Sequence, residues 1–170
     1  LISETFGPHA DSLAASFVFD RARGVSMFYD SRYNDEGKQW TWNGNDWASV
    51  SVSSHPPARQ KPMMVYDETQ QVSVLFGGAE LGDFSASLGD TWTWNGSTWT
   101  QLSPATSPSP REGGTMAWDY GHNYVLMFGG QYWTGQYPTV RAVVTSYNET
   151  WKWTGTNWVQ LFPAHTPPAT

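Results

Sequence analysis

There is no cysteine anywhere in the 170 residues. That excludes disulfides, thiolate metal centres and cysteine nucleophiles, and it leaves the compartment undecided. Charge is scarce as well. Nine Lys+Arg face 15 Asp+Glu, only 14% of the chain, for a formal net charge of -6. With no Lys/Arg run on an acidic chain, a nucleic-acid partner is not expected. No apolar stretch approaches the ~18 residues of a membrane helix, so no membrane partner is expected either. The opening Leu1-Ile2-Ser3-Glu4-Thr5 lacks a basic region followed by an apolar block and does not read as a secretory signal. Large apolar side chains other than Trp, Tyr and Met are few: Leu, Ile, Val and Phe make up 29 of the 170 residues. That lies under the ~20% line at which a strongly charged chain stays disordered, but this chain is weakly charged and 16% aromatic, with 11 Trp. The expected core is therefore aromatic.

Those tryptophans repeat. Asp90-Thr91-Trp92-Thr93-Trp94-Asn95-Gly96-Ser97-Thr98-Trp99 recurs as Glu149-Thr150-Trp151-Lys152-Trp153-Thr154-Gly155-Thr156-Asn157-Trp158. It recurs again as Lys38-Gln39-Trp40-Thr41-Trp42-Asn43-Gly44-Asn45-Asp46-Trp47. Trp40 and Trp92 are 52 residues apart, and Trp92 and Trp151 are 59 apart. A second element precedes each copy. Arg59 through Asp67 to Phe76-Gly77-Gly78 matches Arg111 through Asp119 to Phe128-Gly129-Gly130. The first copy is degenerate, with Ser12 in place of the Arg and Tyr29-Asp30 in place of Gly-Gly.

Each repeat reads as four short strands. In the second these are Met63 to Tyr66, Val72 to Phe76 ended by Gly-Gly, Thr91 to Trp94, and Trp99 to Leu102. Asn95-Gly96 makes the last hairpin turn, since Asn-Gly accepts positive φ cheaply. The Pro/Ser-rich connector from Pro104 to Pro110 is neither helix nor inner strand. Four-stranded repeats of ~50 residues indicate an all-β propeller. The boundaries fall at about 10–55, 56–107 and 108–168 in one domain.

The Arg, the apolar strand, Gly-Gly and the spaced Trp strands resemble the kelch repeat, in its bacterial, galactose-oxidase-like variant. The resemblance implies blades of four antiparallel strands. It also implies a structural role for Arg59 and Arg111, tying neighbouring blades, and a position two residues further on that points toward the channel mouth, here Lys61. Some kelch propellers carry a copper site with a Tyr–Cys crosslink, which a chain without cysteine cannot build. Nine of the 11 Trp occupy repeat positions and are expected to pack between blades. Trp118 and Trp133 do not.

Three blades are too few to close a ring, which takes about four to eight. The chain stops at Pro167-Pro168-Ala169, matching Pro56-Pro57-Ala58. Two copies packed head to tail would make six blades, so the expected partner is a second copy. A piece of a longer propeller is the other reading.

The connections between second and third strands and the Pro-rich connectors share one face. The longest runs from about Gln131 to Asn148 and holds Tyr132, Trp133, Tyr137 and Arg141. Together with Lys61 these are the candidate ligand residues, an aromatic platform with cations suited to a glycan, a peptide or a protein. His9, His55 and His165 lie in connectors but out of register, so no metal is expected. His122 is expected to be exposed in a tight turn on the opposite face. Asp35, Glu36, Asp83 and Asp90 read as solvated loop carboxylates. No Gly-x-Ser-x-Gly, His-Glu-x-x-His or phosphate loop occurs, and no cofactor is expected. The function that follows is a noncatalytic binding or scaffold propeller. The alternative is an enzyme whose active site lies at the channel mouth. The compartment stays open, with an extracellular or periplasmic one favoured.

Overall fold

The computed structural model describes residues 15–30, 38–80, 87–134 and 143–169. Every regular element among them is a β-strand. Sheet one contains β1 (Ala15–Asp20), β2 (Val25–Asp30), β3 (Lys38–Trp42) and β4 (Trp47–Val50), antiparallel and in chain order. Sheet two contains β5 (Arg59–Gln60), β6 (Met63–Asp67), β7 (Val72–Glu80), β8 (Ser87–Trp94) and β9 (Trp99–Leu102). Both β5 and β6 pair with β7, at its far and near ends. Sheet three contains β10 (Thr115–Asp119), β11 (Tyr124–Phe128), β14 (Thr150–Trp153) and β15 (Trp158–Leu161). Between β11 and β14, a separate ribbon forms from β12 (Gln131–Thr134) and β13 (Val143–Ser146).

The turns show why these sequences fold as hairpins. Asp67 Oδ1 accepts the N–H groups of Thr69 and Gln70, both at 2.9 Å. Asp119 Oδ1 does the same for Gly121 and His122. In the Trp hairpins Asn95 Oδ1 accepts from Ser97 and Thr98, and Asn43 Oδ1 accepts from Asn45 and Asp46. The Asn side chain thus closes the turn as an Asx motif, and Gly96 alone takes the positive φ, at 95°. The tight turn expected at Asn95-Gly96 forms there.

Two differences from the sequence reading concern the Gly-Gly pair and the long connection. The second strand does not end at Gly77-Gly78. It bulges there and runs on to Glu80. Gly77 sits at φ 64°, and a Cβ on it would lie 2.4 Å from the Arg111 carbonyl oxygen. Only glycine lets the connector pass that close while the strand continues. In the third repeat, the segment read as a loop starts as strand β12 and returns as β13.

Sheet two lies between the other two. One apolar cluster joins Val18, Met27 and Tyr29 of sheet one to Tyr66, Leu75, Trp92, Trp94 and Trp99 of sheet two. A second joins Met63, Val65, Val74 and Phe76 of sheet two to Val125, Met127, Trp151, Trp153 and Trp158 of sheet three. Each Trp triplet therefore faces the sheet before it. Six of the nine repeat tryptophans are buried, as expected. Trp40, Trp42 and Trp47 are only half-buried, because their triplet faces outward from sheet one. Phe17 and Phe19 on the same face are 59% and 55% exposed.

Candidate functional site

The repeat arginines are buried and heavily bonded. Arg59 is fully buried. Its Nε donates to the Pro57 carbonyl at 3.0 Å and one terminal nitrogen to the Gly77 carbonyl at 3.0 Å. Its fork meets both oxygens of Asp90, at 2.6 and 2.8 Å. The Trp92 indole N–H donates to the same carboxylate at 2.6 Å. Arg111 repeats the pattern with Ser109, Gly129 and Glu149, and Trp151 donates to Glu149 at 3.0 Å. Burial alone would raise the Asp90 and Glu149 carboxyls. The paired guanidinium and indole outweigh it and hold both below the usual carboxylate range. Asp90 is thus a clasp residue within a strand and not a solvated loop charge. The clasps also act inside their own sheets. At Arg111 it is the main chain that crosses to the preceding sheet: its N–H donates to Leu88 and its carbonyl accepts from Gly78.

Next to the Arg111 clasp is a smaller cluster. Lys61 Nζ donates to Glu112 Oε1 at 2.7 Å and stands 5.9 Å from the centre of the Trp133 ring. Gln131 Nε2 donates to the same Glu112 oxygen at 3.2 Å. Glu112 is buried and Lys61 half-buried. Lys61 joins sheet two, between β5 and β6, to the start of the β12–β13 ribbon. Its φ of 49° is the left-handed conformation, and the equivalent position in the next repeat is Gly113, at φ 66°. A lysine held where glycine fits without strain is the kind of outlier found at functional sites. The Trp133 indole N–H is buried and finds no hydrogen-bond partner among the described residues.

Of the five residues singled out from sequence, the structure brings Lys61 and Trp133 together. Tyr132 is adjacent on β12, and strand alternation sends it to the opposite face of the ribbon from Trp133. Tyr137 and Arg141 lie outside the described residues. Sequence reasoning missed Glu112 and Gln131. Their signal was positional: Glu112 follows Arg111 as Gln60 follows Arg59, and both are buried. Among the described residues no group of three His, Cys, Asp or Glu could hold a metal ion. His122 is exposed, as expected, and its Nδ1 pairs with Asp119 at 2.8 Å.

No family model matches the chain, and no curated protein does. Among solved structures it is similar to YjhT, with a TM-score of 0.57 over 92% of this chain at 14% sequence identity. The chain spans about half of YjhT, 47% of its length. At that identity the likeness supports the fold, a propeller-like all-β arrangement, and nothing beyond it.

Proposed function

We propose that the three sheets are successive blades of a kelch-type propeller, and that the chain is a noncatalytic recognition scaffold for a glycan. The observation that carries the ligand reading is the Lys61–Glu112–Trp133 cluster. An indole face takes the apolar face of a sugar ring, and a cation, a carboxylate and an amide beside it suit hydroxyl groups. Tyr137 and Arg141 belong to the same connection in sequence and lie outside the described residues. The blade reading draws on the repeat spacing, the two arginine clasps and the likeness to YjhT.

The test is a glycan array followed by calorimetry on any hit. Trp133→Ala is expected to weaken binding at least tenfold, with the melting temperature nearly unchanged, and Lys61→Ala to weaken it less. A hit that Trp133→Ala leaves intact, or binding confined to peptides, overturns the glycan reading.

A further inference from the structure

The two internal junctions between sheets are built from the same three contacts. Where sheet two packs on sheet one, the Trp99 indole N–H donates to Gln39 Oε1 at 2.9 Å. The Trp99 ring stands edge-on to Tyr29, centroids 5.4 Å apart at 61°, and Val50 joins the same apolar cluster. Where sheet three packs on sheet two, the Trp158 N–H donates to Thr91 Oγ1 at 3.0 Å. Its ring stands edge-on to Phe76, at 5.3 Å and 63°, and Leu102 joins that cluster. The receiving positions are register-equivalent. Tyr29 lies opposite Gln39, and Phe76 opposite Thr91. A polar side chain and an aromatic one on neighbouring strands thus form a socket, and the last Trp of the next sheet is the plug.

Sheet three carries a third socket. Phe128 lies opposite Thr150, and Leu161 occupies the place of Val50 and Leu102. None of the three receives a Trp among the described residues. An open groove of about 190 Å³ adjoins Thr150 and Leu161, with Phe162 also in its lining. Sheet one carries an unused plug. Trp47 is half-buried, and its aromatic contacts among the described residues are with rings of its own sheet, Phe17, Phe28 and Trp42. Its indole N–H has no partner among the described residues. The turns match too. The Arg23 side chain covers Gly96 and Gln70 covers Gly155, each from the preceding sheet. Gly44 of sheet one has nothing within 4 Å over it among the described residues, and the residue of sheet three equivalent to Arg23 and Gln70 is the exposed His122.

We infer that a second copy of this chain fills both vacancies: Trp47 of each copy seats in the Phe128–Thr150 socket of the other and donates its indole N–H to Thr150. This rests on reading the sheets as successive blades, and it names the surface by which two half-rings close. The two faces are complementary because every sheet packs on its predecessor in the same sense. Two equivalent junctions result, each of the size and aromatic character of the internal ones, and a contact of over ~1,000 Å² is what stable association requires. One position departs from the pattern. Lys152 stands where sheets one and two have Thr41 and Thr93. Its ammonium lies 5.4 Å over the Tyr124 ring, and the tryptophans of the incoming sheet offer further π-faces to it.

The test is light scattering and dilution of the full chain, with no ligand present, so that it stands apart from the glycan assay. The expected mass is about 38 kDa, twice the 19.0 kDa chain. Trp47→Phe removes the donor and Thr150→Val the acceptor. A neutral hydrogen bond is worth about fivefold and the ring contains two, so each variant should weaken dimerisation roughly 25-fold. The double variant should lose little more, since both changes delete one bond. Thr150→Val leaves sheet one untouched, which guards against a Trp47 variant that simply folds poorly. On this cysteine-free background, a chain with Asn45→Cys mixed with one carrying His122→Cys should crosslink, and neither should crosslink to itself. A monodisperse 19.0 kDa species, crosslinking of like with like, or a dimer indifferent to both substitutions overturns the inference. Association only with a longer array of such repeats overturns the second copy as occupant.

Discussion

Sheets one and three carry the same Trp-x-Trp hairpin and end in different surroundings. Trp153 is 1% exposed and Trp158 fully buried, packed against each other at 5.2 Å and against sheet two. Trp42 and Trp47 keep the same pairing, at 5.5 Å, yet remain half-buried. The hairpin geometry belongs to the motif, and the burial belongs to the neighbouring sheet. A sequence motif fixes which face a side chain takes. What covers that face is decided elsewhere in the chain or in another chain.

The largest expected difference follows directly. Trp153→Ala should cost about 3–5 kcal/mol in denaturant unfolding, the range for large aromatic truncations in a packed core. Trp42→Ala, with no sheet over it, should cost about 1–2 kcal/mol in the dissociated chain, since only part of its surface leaves water on folding. Equal costs would mean that sheet one's outer face is covered within a single chain.

Sheets two and three also hold what sheet one lacks. The clasp needs an arginine and a carboxylate, and the first repeat has Ser12 and Lys38 at those positions in sequence. Arg59→Ala removes a fully buried cation from Asp90 and from two carbonyls. It should cost about 3 kcal/mol, the low end for breaking a buried pair, because Asp90 itself keeps some contact with water. The same clasps set the acid response. Asp90 and Glu149 are held below their ordinary values, so the ionised forms favour the folded chain. Their contribution is full above the unfolded carboxyl values of about 4 and is lost as pH falls through the lowered folded ones. Asp67, raised by burial against its Gln70 and Thr69 hydrogen bonds, works in the other direction. Hydrogen exchange at pH 3 should therefore show protection lost around β7, β8 and β14 before it falls in β2 and β3. Uniform loss would remove the clasps from the account.

Much of this was legible in the residues. Spacing and turn chemistry gave four strands in each of the three sheets but not β5, together with the tight turns and the six buried tryptophans, because each depends on local pattern and on one neighbour of the same kind. The ribbon of β12 and β13 was not legible. Gln131 pairs with Ser146 as Ala79, 52 residues earlier, pairs with Ser87, but both hairpins lie beyond a Gly-Gly pair that reads as a stop. Within the candidate site, Lys61 and Trp133 were found as types of residue in promising segments. Glu112, which fixes Lys61, was hidden because its burial depends on a contact between sheets 51 residues apart in sequence. The exposure of Trp40, Trp42 and Trp47 was hidden for the same reason, since nothing local records a missing neighbour.

The smallest effect separates the two faces most finely. Thr91 and Thr150 hold the same place, one residue before the first Trp of their hairpins. Thr91 is 1% exposed, and its oxygen is the acceptor for the buried Trp158 N–H. Thr91→Val keeps the shape and deletes the acceptor, leaving a buried donor unmade at a cost of about 1–2 kcal/mol. Thr150 is half-buried and its oxygen receives nothing among the described residues. Thr150→Val should therefore stay within about 0.5 kcal/mol of the parent when unfolding is followed at concentrations that keep the chain dissociated. Raising the concentration should separate parent from variant, because only then does Trp47 of another copy reach that oxygen. Thr91→Val carries its cost at every concentration, since its donor belongs to the same chain. If both substitutions behave alike at low concentration, the socket on sheet three is already filled from within, and the outward face of sheet one must look elsewhere for its cover.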